Sequence, residues 1–214
     1  MKLYHGSKSK IEKPTTSGSK RDNDYGPAFY LTKDIESAHE WACRNNTVGF
    51  INKYDIDLSK LKILDLTDNT KYSVLNWIAI LLHFRALSPL FIANFKNRLD
   101  YIESHYYIDP REYDVVIGFR ADDAYFRFPL DFVRGNITLE QLNNSFELGE
   151  LGIQYVLISD KAINSLTFLE SYQSEPKYIN KYFDRVYSAT TTYDNLSKDE
   201  EGTRIFDIIR GITK

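Results

Sequence analysis

The sequence has little of what several protein classes require. Cys43 is the only cysteine in 214 residues, so neither a disulfide framework nor a cysteine-rich metal site is expected. The histidines of the later chain, His39, His83 and His105, have no ligand partner at a suggestive spacing. We therefore predict no metal site.

Long apolar runs are also missing. The most apolar run, residues 74–84, contains Asn76 and His83 and ends at Arg85, short of the ~18 residues that a membrane span needs. It predicts a core helix, and no membrane partner is expected. Residues 1–6 show no apolar core of a signal peptide, so we expect a cytoplasmic protein.

Charge is balanced rather than strongly of one sign. The formal net charge of -3 argues against non-specific electrostatic binding of nucleic acid. Binding of nucleic acid would need a local basic patch. The polar stretch 7–23 is rich in lysine, and its patterning favours a solvated loop over a loop that contacts phosphate. With 43% hydrophobic residues, the chain can bury the core of one domain, perhaps with an appendage.

Periodicity divides the chain into strands and segregated helices, which indicates an α+β fold. Short apolar or alternating runs predict strands at residues 2–5, 28–31, 48–58, 61–66, 114–118 and 152–159, the last of these being the final strand. Helical spacing predicts helices after Asp34, at 72–87 and 91–107, after Thr138 and after Asp160. The helix after Asp160 is predicted to carry the apolar residues Ile163, Leu166 and Leu169 on one face.

Two further helices are predicted at the end of the chain. Ser174-Glu175-Pro176 starts the first, and residues 197–200 cap the second. The second presents an apolar stripe made of Ile205, Ile208, Ile209 and Ile212. We expect this stripe to pack on the rest of the chain; docking of a second protein is the alternative.

Several short motifs occur in a fixed order along the chain. They are His5-Gly6-Ser7, Asp24-Tyr25-Gly26-Pro27-Ala28-Phe29-Tyr30, Ser37-Ala38, Asn97-Arg98, Tyr113-Asp114-Val115-Val116-Ile117-Gly118, Ala121-Asp122-Asp123 and Ile153-Gln154-Tyr155-Val156. Together they resemble the ADP-ribosyltransferase superfamily, in the branch of the diphtheria-type toxins and poly(ADP-ribose) polymerases. More narrowly, the chain is similar to a bacterial family formerly of unknown function. The resemblance covers roughly residues 1–170.

This resemblance implies a split β-sandwich around an NAD cleft, with a helical insertion and C-terminal helices. Residues 1–172 would form the ADP-ribosyltransferase-like domain, and residues 173–214 a helical extension packed on it. The implied activity is transfer of ADP-ribose from NAD to a protein or nucleic-acid acceptor. Such bacterial proteins act as toxins or defence effectors, with a neighbouring antitoxin protein as partner.

The resemblance also assigns roles at the start of the chain. His5 would hydrogen-bond the adenosine-side ribose, and Gly6, next to Ser7, would present its backbone to the nicotinamide amide. A glycine suits this position because the ligand would approach the main chain closely. Tyr30 would stack on the nicotinamide ring, and Thr32 would offer a hydroxyl to the amide.

Other residues near these motifs have two interpretations each. Tyr25 either walls the nicotinamide slot or belongs to the core. Phe29 is better explained as core, because alternation turns it to the face opposite Tyr30. Arg98 either pairs with the pyrophosphate or forms a salt bridge on a helix surface.

The sequence departs from the active pattern at Gln154, where such transferases usually carry a glutamate. Cleavage of the bond between nicotinamide and ribose builds positive charge on the sugar, as in glycosidases. A glutamine accepts a hydrogen bond from the ribose but supplies no charge, and losing such a term costs a few kcal/mol of barrier. An NAD glycohydrolase, or an NAD- or partner-binding module with little turnover, therefore stays open. Glu147 and Glu150, just upstream, either supply that charge or are solvated loop acids, and the second interpretation is favoured. Asp122 and Asp123 could bind a cation, orient an acceptor or cap the following segment.

Overall fold

The computed structural model describes residues 1–44, 46–121, 125–145, 152–194 and 201–212. The strands in these ranges are β1 (Lys2–Ser7), β2 (Phe29–Thr32), β3 (Phe50–Ile56), β4 (Ile63–Asp65), β5 (Val115–Phe119), β6 (Ile153–Leu157) and β7 (Leu166–Gln173). The helices are α1 (Ile35–Cys43), α2 (Val74–Phe84), α3 (Pro89–Tyr106), α4 (Arg127–Arg134), α5 (Leu139–Ser145), α6 (Asp160–Asn164), α7 (Tyr178–Asp194) and α8 (Ile205–Ile209). The α+β class is confirmed.

The described strands form one open sheet in the order β4-β5-β6-β2-β1-β3-β7. All neighbours run antiparallel except β4 and β5, which are parallel. Strands distant in sequence are adjacent in this order. As a result, the sheet brings β1, β2 and β6 to its centre.

A seam divides the sheet between β1 and β2. Their pairing is confined to Tyr4 opposite Thr32, whereas β1 pairs with β3 along the whole of Lys2–Ser7. Beyond Tyr4, the backbone ladder between β1 and β2 does not continue. The sheet therefore consists of a half β4-β5-β6-β2 and a half β1-β3-β7 joined at one point.

Apolar side chains cover both faces of the sheet. On one face, α1 packs its small residues Ala38 and Ala42 against Ile51 of β3. A larger cluster on the other half of the sheet includes Val116 and Val156 and buries the apolar side of α2 together with residues of α3, α4, α5 and α8. The opposite face buries Leu3, Phe29, Leu31, Tyr54, Ile56, Val115, Tyr155, Leu157 and Ala162.

Local capping signals predicted the helix starts well. Asp34 accepts hydrogen bonds from the backbone N–H groups of Glu36 and Ser37, at 3.0 and 3.1 Å, and so caps α1. Thr138 and Gln141 form the predicted capping box at α5, with reciprocal bonds of 2.9 and 3.1 Å. Both predictions are confirmed.

The prediction for residues after Asp160 is wrong. Ser159, rather than Asp160, caps the five-residue helix α6, and the chain then enters the strand β7. Leu166 and Leu169 therefore lie on a strand and share no helical face with Ile163. Strand β6 is not the final strand, because β7 pairs with β3 from Phe50 to Ile56.

Helices α7 and α8 pack on the preceding elements. The hydroxyl of Tyr178 donates to Glu36 of α1 at 2.8 Å, and Tyr193 donates to Asp131 of α4 at 2.9 Å. Ile205 is fully buried and Ile208 packs against the large cluster, but Ile209 and Ile212 are exposed. Only part of the predicted apolar stripe is thus covered, and its predicted cap at residues 197–200 lies outside the described residues. No described helix is long and apolar enough to cross a membrane.

Candidate functional site

A cleft of about 870 Å³ opens at the seam of the sheet. Its lining comes from β1, β2, the start of β6, one side of α1, the loop 8–24 and residues that follow α2 and β5. This volume lies within the range of sites that enclose a ligand of drug or cofactor size. Three predicted catalytic residues from distant parts of the chain, His5, Tyr30 and Gln154, all line it.

His5 bridges β1 and β2 where their backbone ladder stops. Its Nδ1 lies 2.7 Å from the carbonyl oxygen of Tyr30, and its ring lies 4.5 Å from that of Phe29. Burial lowers the pKa of the His5 imidazole, although the bond to Tyr30 opposes this effect. The ring is therefore neutral near pH 7, and because a carbonyl only accepts, Nδ1 carries the proton. Nε2 is then a hydrogen-bond acceptor.

Tyr30 is fixed by the turn that precedes its own strand. Its hydroxyl donates to the carbonyl oxygen of Gly26 at 2.6 Å and accepts from the backbone N–H of Tyr25 at 3.2 Å. Gly26 has a φ of +78°, which a glycine adopts without strain. Burial raises the pKa of the Tyr30 phenol above its usual range, so the hydroxyl stays protonated. The orientation of the ring is thus set before any ligand arrives.

Gln154 lies opposite Thr32 of β2 and opposite Gly118 of β5. Its Nε2 donates to Oδ2 of Asp24 at 3.2 Å, and its residue is only 7% exposed. Asp24 is equally buried, and its Oδ2 also accepts from the backbone N–H of Ala121 at 2.9 Å. An amide and a carboxylate therefore sit side by side on the cleft wall.

Asp24 has an unusual environment for an acid. Burial raises the pKa of its carboxyl to about 6, against the opposing effects of Ala121 N–H, Arg85, Gln154 and Arg120. The Arg85 guanidinium approaches Oδ1 at 3.5 Å. In the sequence, Asp24 stands out only as the first residue of the motif Asp24 to Tyr30. That position was the one available signal of a role.

The structure shows a reason for a glycine at position 6 other than the predicted one. A Cβ on Gly6 would lie 2.0 Å from the carbonyl oxygen of Ala38 and 2.7 Å from the backbone nitrogen of Ala42. The close packing of β1 on α1 is thus by itself sufficient to require a glycine here. Gly6 nevertheless lines the cleft.

Ser7 and Thr32 also line the cleft, and both hydroxyls already have hydrogen bonds. The Ser7 hydroxyl donates to the carbonyl of Ser9 and accepts from Nδ2 of Asn52 at 2.9 Å. Oγ1 of Thr32 accepts from the backbone N–H of Asp34 at 3.0 Å. Both hydroxyls therefore already bond to nearby backbone groups, and that of Ser7 also bonds to Asn52. A ligand would have to share them.

Tyr25 and Phe29 are core residues. Tyr25 is 2% exposed, its hydroxyl donates to the carbonyl of Phe119 at 2.8 Å, and it is not among the residues that line the cleft. Of the two interpretations of Tyr25, this geometry favours the core residue over a wall of the nicotinamide slot. Phe29 is buried on the face opposite Tyr30, as alternation predicted, although its edge reaches the cleft at the seam.

Arg98 does not reach the cleft. Its guanidinium donates to the carbonyl oxygens of Val133 and Arg134, both at 2.7 Å, at the C-terminus of α4. It also lies over the rings of Phe95 and Phe206 at 5.3 and 5.4 Å. Its position does not support the predicted contact with a pyrophosphate in the cleft. Neither does Arg98 form the alternative salt bridge with a described residue, because the arginine satisfies carbonyls at a helix end.

Three other arginines line the cleft, and sequence analysis did not single them out: Arg44, Arg85 and Arg120. The guanidinium groups of Arg44 and Arg120 lie over the ring of Trp41 at 4.8 and 4.5 Å. Arg120 is 3% exposed. The loop predicted to be solvated adds Lys8, Lys13 and Lys20 to the lining. Among the described residues, the acids of the lining are Asp22 and Asp24, so the described part of the cleft is suited to an anionic ligand.

Four acids raised by sequence analysis, Asp122, Asp123, Glu147 and Glu150, lie outside the described residues. Among the residues that are described, no group of three or more histidine, cysteine, aspartate or glutamate side chains could hold a metal ion.

Fold and site together define an α+β protein with a cation-rich, ligand-sized cleft at the seam of its central sheet. A family model described as "protein of unknown function (DUF3990)" matches residues 1–168, and the chain belongs to that family. A search of curated proteins found no match. A search of solved structures found none either.

Proposed function

We propose that this protein is an NAD-dependent ADP-ribosyltransferase that modifies a macromolecular acceptor. The observation that carries the proposal is the convergence of His5, Tyr30 and Gln154 on one cleft of about 870 Å³. These are the three positions to which the superfamily resemblance assigns catalysis. They come from β1, β2 and β6, which are far apart in sequence and adjacent in the sheet.

The seam of the sheet supports an ADP-ribosyltransferase-like split architecture. Because β1 and β2 pair only at Tyr4 and Thr32, the two halves of the sheet separate and leave room between them. His5 and Tyr30 lie on the two strands that flank this opening, and they are linked by the bond from Nδ1 to the Tyr30 carbonyl. A dinucleotide would lie across the seam.

The charges of the cleft suit the two phosphates of NAD. Guanidinium groups bind phosphate oxygens through paired donors, and Arg44, Arg85 and Arg120 line the cleft. These arginines take the place that sequence analysis gave to Arg98. With its proton on Nδ1, the neutral His5 offers Nε2 as an acceptor for a ribose hydroxyl, and Tyr30 offers its ring to the nicotinamide.

The reaction would break the bond between the ribose carbon and the nicotinamide nitrogen, whose electron pair leaves with neutral nicotinamide. An oxygen or nitrogen of the acceptor then bonds to the same carbon and gives up its proton to solvent. The cleft would act mainly by holding the riboses and the leaving group in a fixed geometry. The proposed acceptor is a protein or nucleic acid. A bacterial toxin or defence effector of this type acts in the cytoplasm and is paired with an antitoxin protein.

Isothermal titration with NAD tests the proposal directly. We expect the wild type to bind NAD and His5→Gln to bind it about fivefold more weakly, since one hydrogen bond is worth about 1 kcal/mol. His83→Gln is the matched control, because His83 is a histidine of α2 that pairs with Glu103 and does not line the cleft. Absence of NAD binding in the wild type would refute the proposal.

Turnover separates transfer from hydrolysis. Incubation of the wild type with NAD labelled in the adenylate phosphate, in a bacterial lysate, should label protein or nucleic acid and release nicotinamide. Release of nicotinamide together with free ADP-ribose, and no labelled macromolecule, would instead identify an NAD glycohydrolase. Binding without any release would identify an NAD-binding module.

A further inference from the structure

The pair formed by Asp24 and Gln154 points to a function for the acid, and this inference rests on the proposed reaction. Asp24 lies between three elements: Ala121 N–H and Arg120 follow β5, Arg85 follows α2, and Gln154 lies on β6. Although each of the two side chains is only 7% exposed, both line the cleft. Burying a carboxylate costs free energy, and Arg85, Arg120 and the Ala121 N–H offset this cost only in part, since burial still raises the pKa of Asp24 to about 6.

The hydrogen bond between the two side chains fixes the amide of Gln154. An ionised carboxylate only accepts, so the group of Gln154 that lies 3.2 Å from Oδ2 of Asp24 must be the NH₂. The carbonyl oxygen Oε1 is therefore turned away from Asp24. A ribose hydroxyl needs an acceptor, and this orientation provides one at position 154.

We propose that Asp24 is a positioning residue of the cleft, which holds the Gln154 amide oxygen toward the ribose and supplies the negative charge that a glutamate at position 154 would carry. The positive charge that develops on the sugar would then be stabilised by the Asp24 carboxylate, which is linked to the sugar through the Gln154 amide. This arrangement accounts for a glutamine at a position where active transferases of this branch have an acid. The groups that face Asp24 from its surroundings are Arg85, Arg120, the Ala121 N–H, Gln154, Tyr25 and Tyr30.

Asp24→Asn tests the inference, because it removes the charge and keeps the shape. We expect kcat for nicotinamide release to fall roughly 10²-fold, as for loss of one well-placed electrostatic group, with KM for NAD within about threefold. Asp100→Asn, on the exposed side of α3, is the matched control and should leave kcat unchanged. Thermal unfolding of each variant shows that the fold is retained.

A double variant gives a readout that a merely structural role would not produce. Asp24→Asn with Gln154→Glu exchanges the amide and the carboxylate across the same hydrogen bond. We expect it to recover kcat to within about tenfold of the wild type. The pH profile adds a third measurement: release by the wild type should decline as pH falls through about 6, and Asp24→Asn should lack this decline.

The outcomes separate this inference from the proposed function. Wild-type turnover that persists in Asp24→Asn overturns the inference and leaves the proposed function intact. Loss of NAD binding in Asp24→Asn also overturns it, since Asp24 would then build the pocket. A wild type that binds NAD without releasing nicotinamide likewise counts against it. A wild type that does not bind NAD overturns the proposed function itself.

Discussion

Two buried aspartates, Asp24 in the cleft and Asp131 in the helical layer, have nearly the same exposure, at 7% and 6%. Asp131 is enclosed by donors: Arg134 at 3.0 Å, Asn136 at 3.2 Å and the Tyr193 hydroxyl at 2.9 Å, with Arg127 at 3.4 Å. Asp24 has the Ala121 N–H, the Gln154 amide, Arg85 at 3.5 Å and the charge of Arg120, and it borders a cleft.

Burial by itself therefore does not indicate which acid is functional. Asp131 holds α4 and α7 together, and its charge is compensated by groups of those elements. Asp24 is compensated less fully, and burial raises the pKa of its carboxyl to about 6. The difference lies in the partners and in the neighbouring cavity, both of which depend on tertiary structure.

Removing the enclosed acid should have the largest effect. We expect Asp131→Ala to lower the free energy of unfolding by about 3 kcal/mol, because the buried Tyr193 hydroxyl loses its acceptor and the half-exposed Arg127 and Arg134 lose a charged partner. Urea unfolding followed by circular dichroism measures this. Asp100→Ala, which removes an exposed partner of Lys96, should change stability by less than about 1 kcal/mol. Equal effects of the two substitutions would contradict the assignment of Asp131 to the structure.

The contribution of Asp24 to the free energy of unfolding should depend on pH. Its folded pKa of about 6 lies above the ordinary value of 3.8, so the folded state holds this proton more tightly than the unfolded state. The contribution of Asp24 to the free energy of unfolding should therefore fall as pH rises from about 4 to 6, by up to about 3 kcal/mol, and then stay constant.

The difference between the wild type and Asp24→Asn isolates this contribution. His5 acts in the opposite direction, because its folded pKa is lowered, but it is present in both proteins. Urea unfolding at pH 4.5 and pH 7 should show Asp24→Asn gaining stability relative to the wild type at the higher pH. A difference that does not vary with pH would mean that Asp24 titrates normally.

A comparison of Arg98, which binds the end of α4, with Arg85, in the cleft, should show smaller effects. Arg98→Met should lower the free energy of unfolding by about 2 kcal/mol, since two charged hydrogen bonds to carbonyls at the end of α4 are lost. The affinity for NAD should not change. Arg85→Met is the matched variant at the cleft, where NAD affinity should fall instead. The same titration and unfolding measurements on both variants test this, and reduced affinity in Arg98→Met would contradict it.

Elements with strong local signals were predictable. Asp34 and the Thr138–Gln141 capping box marked helix starts, and Pro89 marked the break between α2 and α3. The segment after Asp160 was not predictable in this way. Ile163, Leu166 and Leu169 fit helical spacing, but Leu166 and Phe168 also fit the two-residue period of a strand, and pairing with β3 decides for a strand.

The candidate site was predictable in part. The order of the motifs led to His5, Tyr30 and Gln154, and the structure brings these three to one cleft. The order of the motifs did not indicate Arg44, Arg85 or Arg120. An arginine has the same local appearance on a helix surface, at a helix end or in a cleft, so only its tertiary neighbours distinguish these cases.

The sequence by itself determined the α+β class, most of the strands and helix caps, and the short runs that carry the superfamily resemblance, because these depend on residues close together in the chain. Tertiary structure alone decided that Gly6 is required by α1, that Arg98 binds the end of α4, and that Asp24 lies against Gln154. Each of these contacts joins residues more than 30 positions apart. They form only when these distant helices, strands and loops pack together.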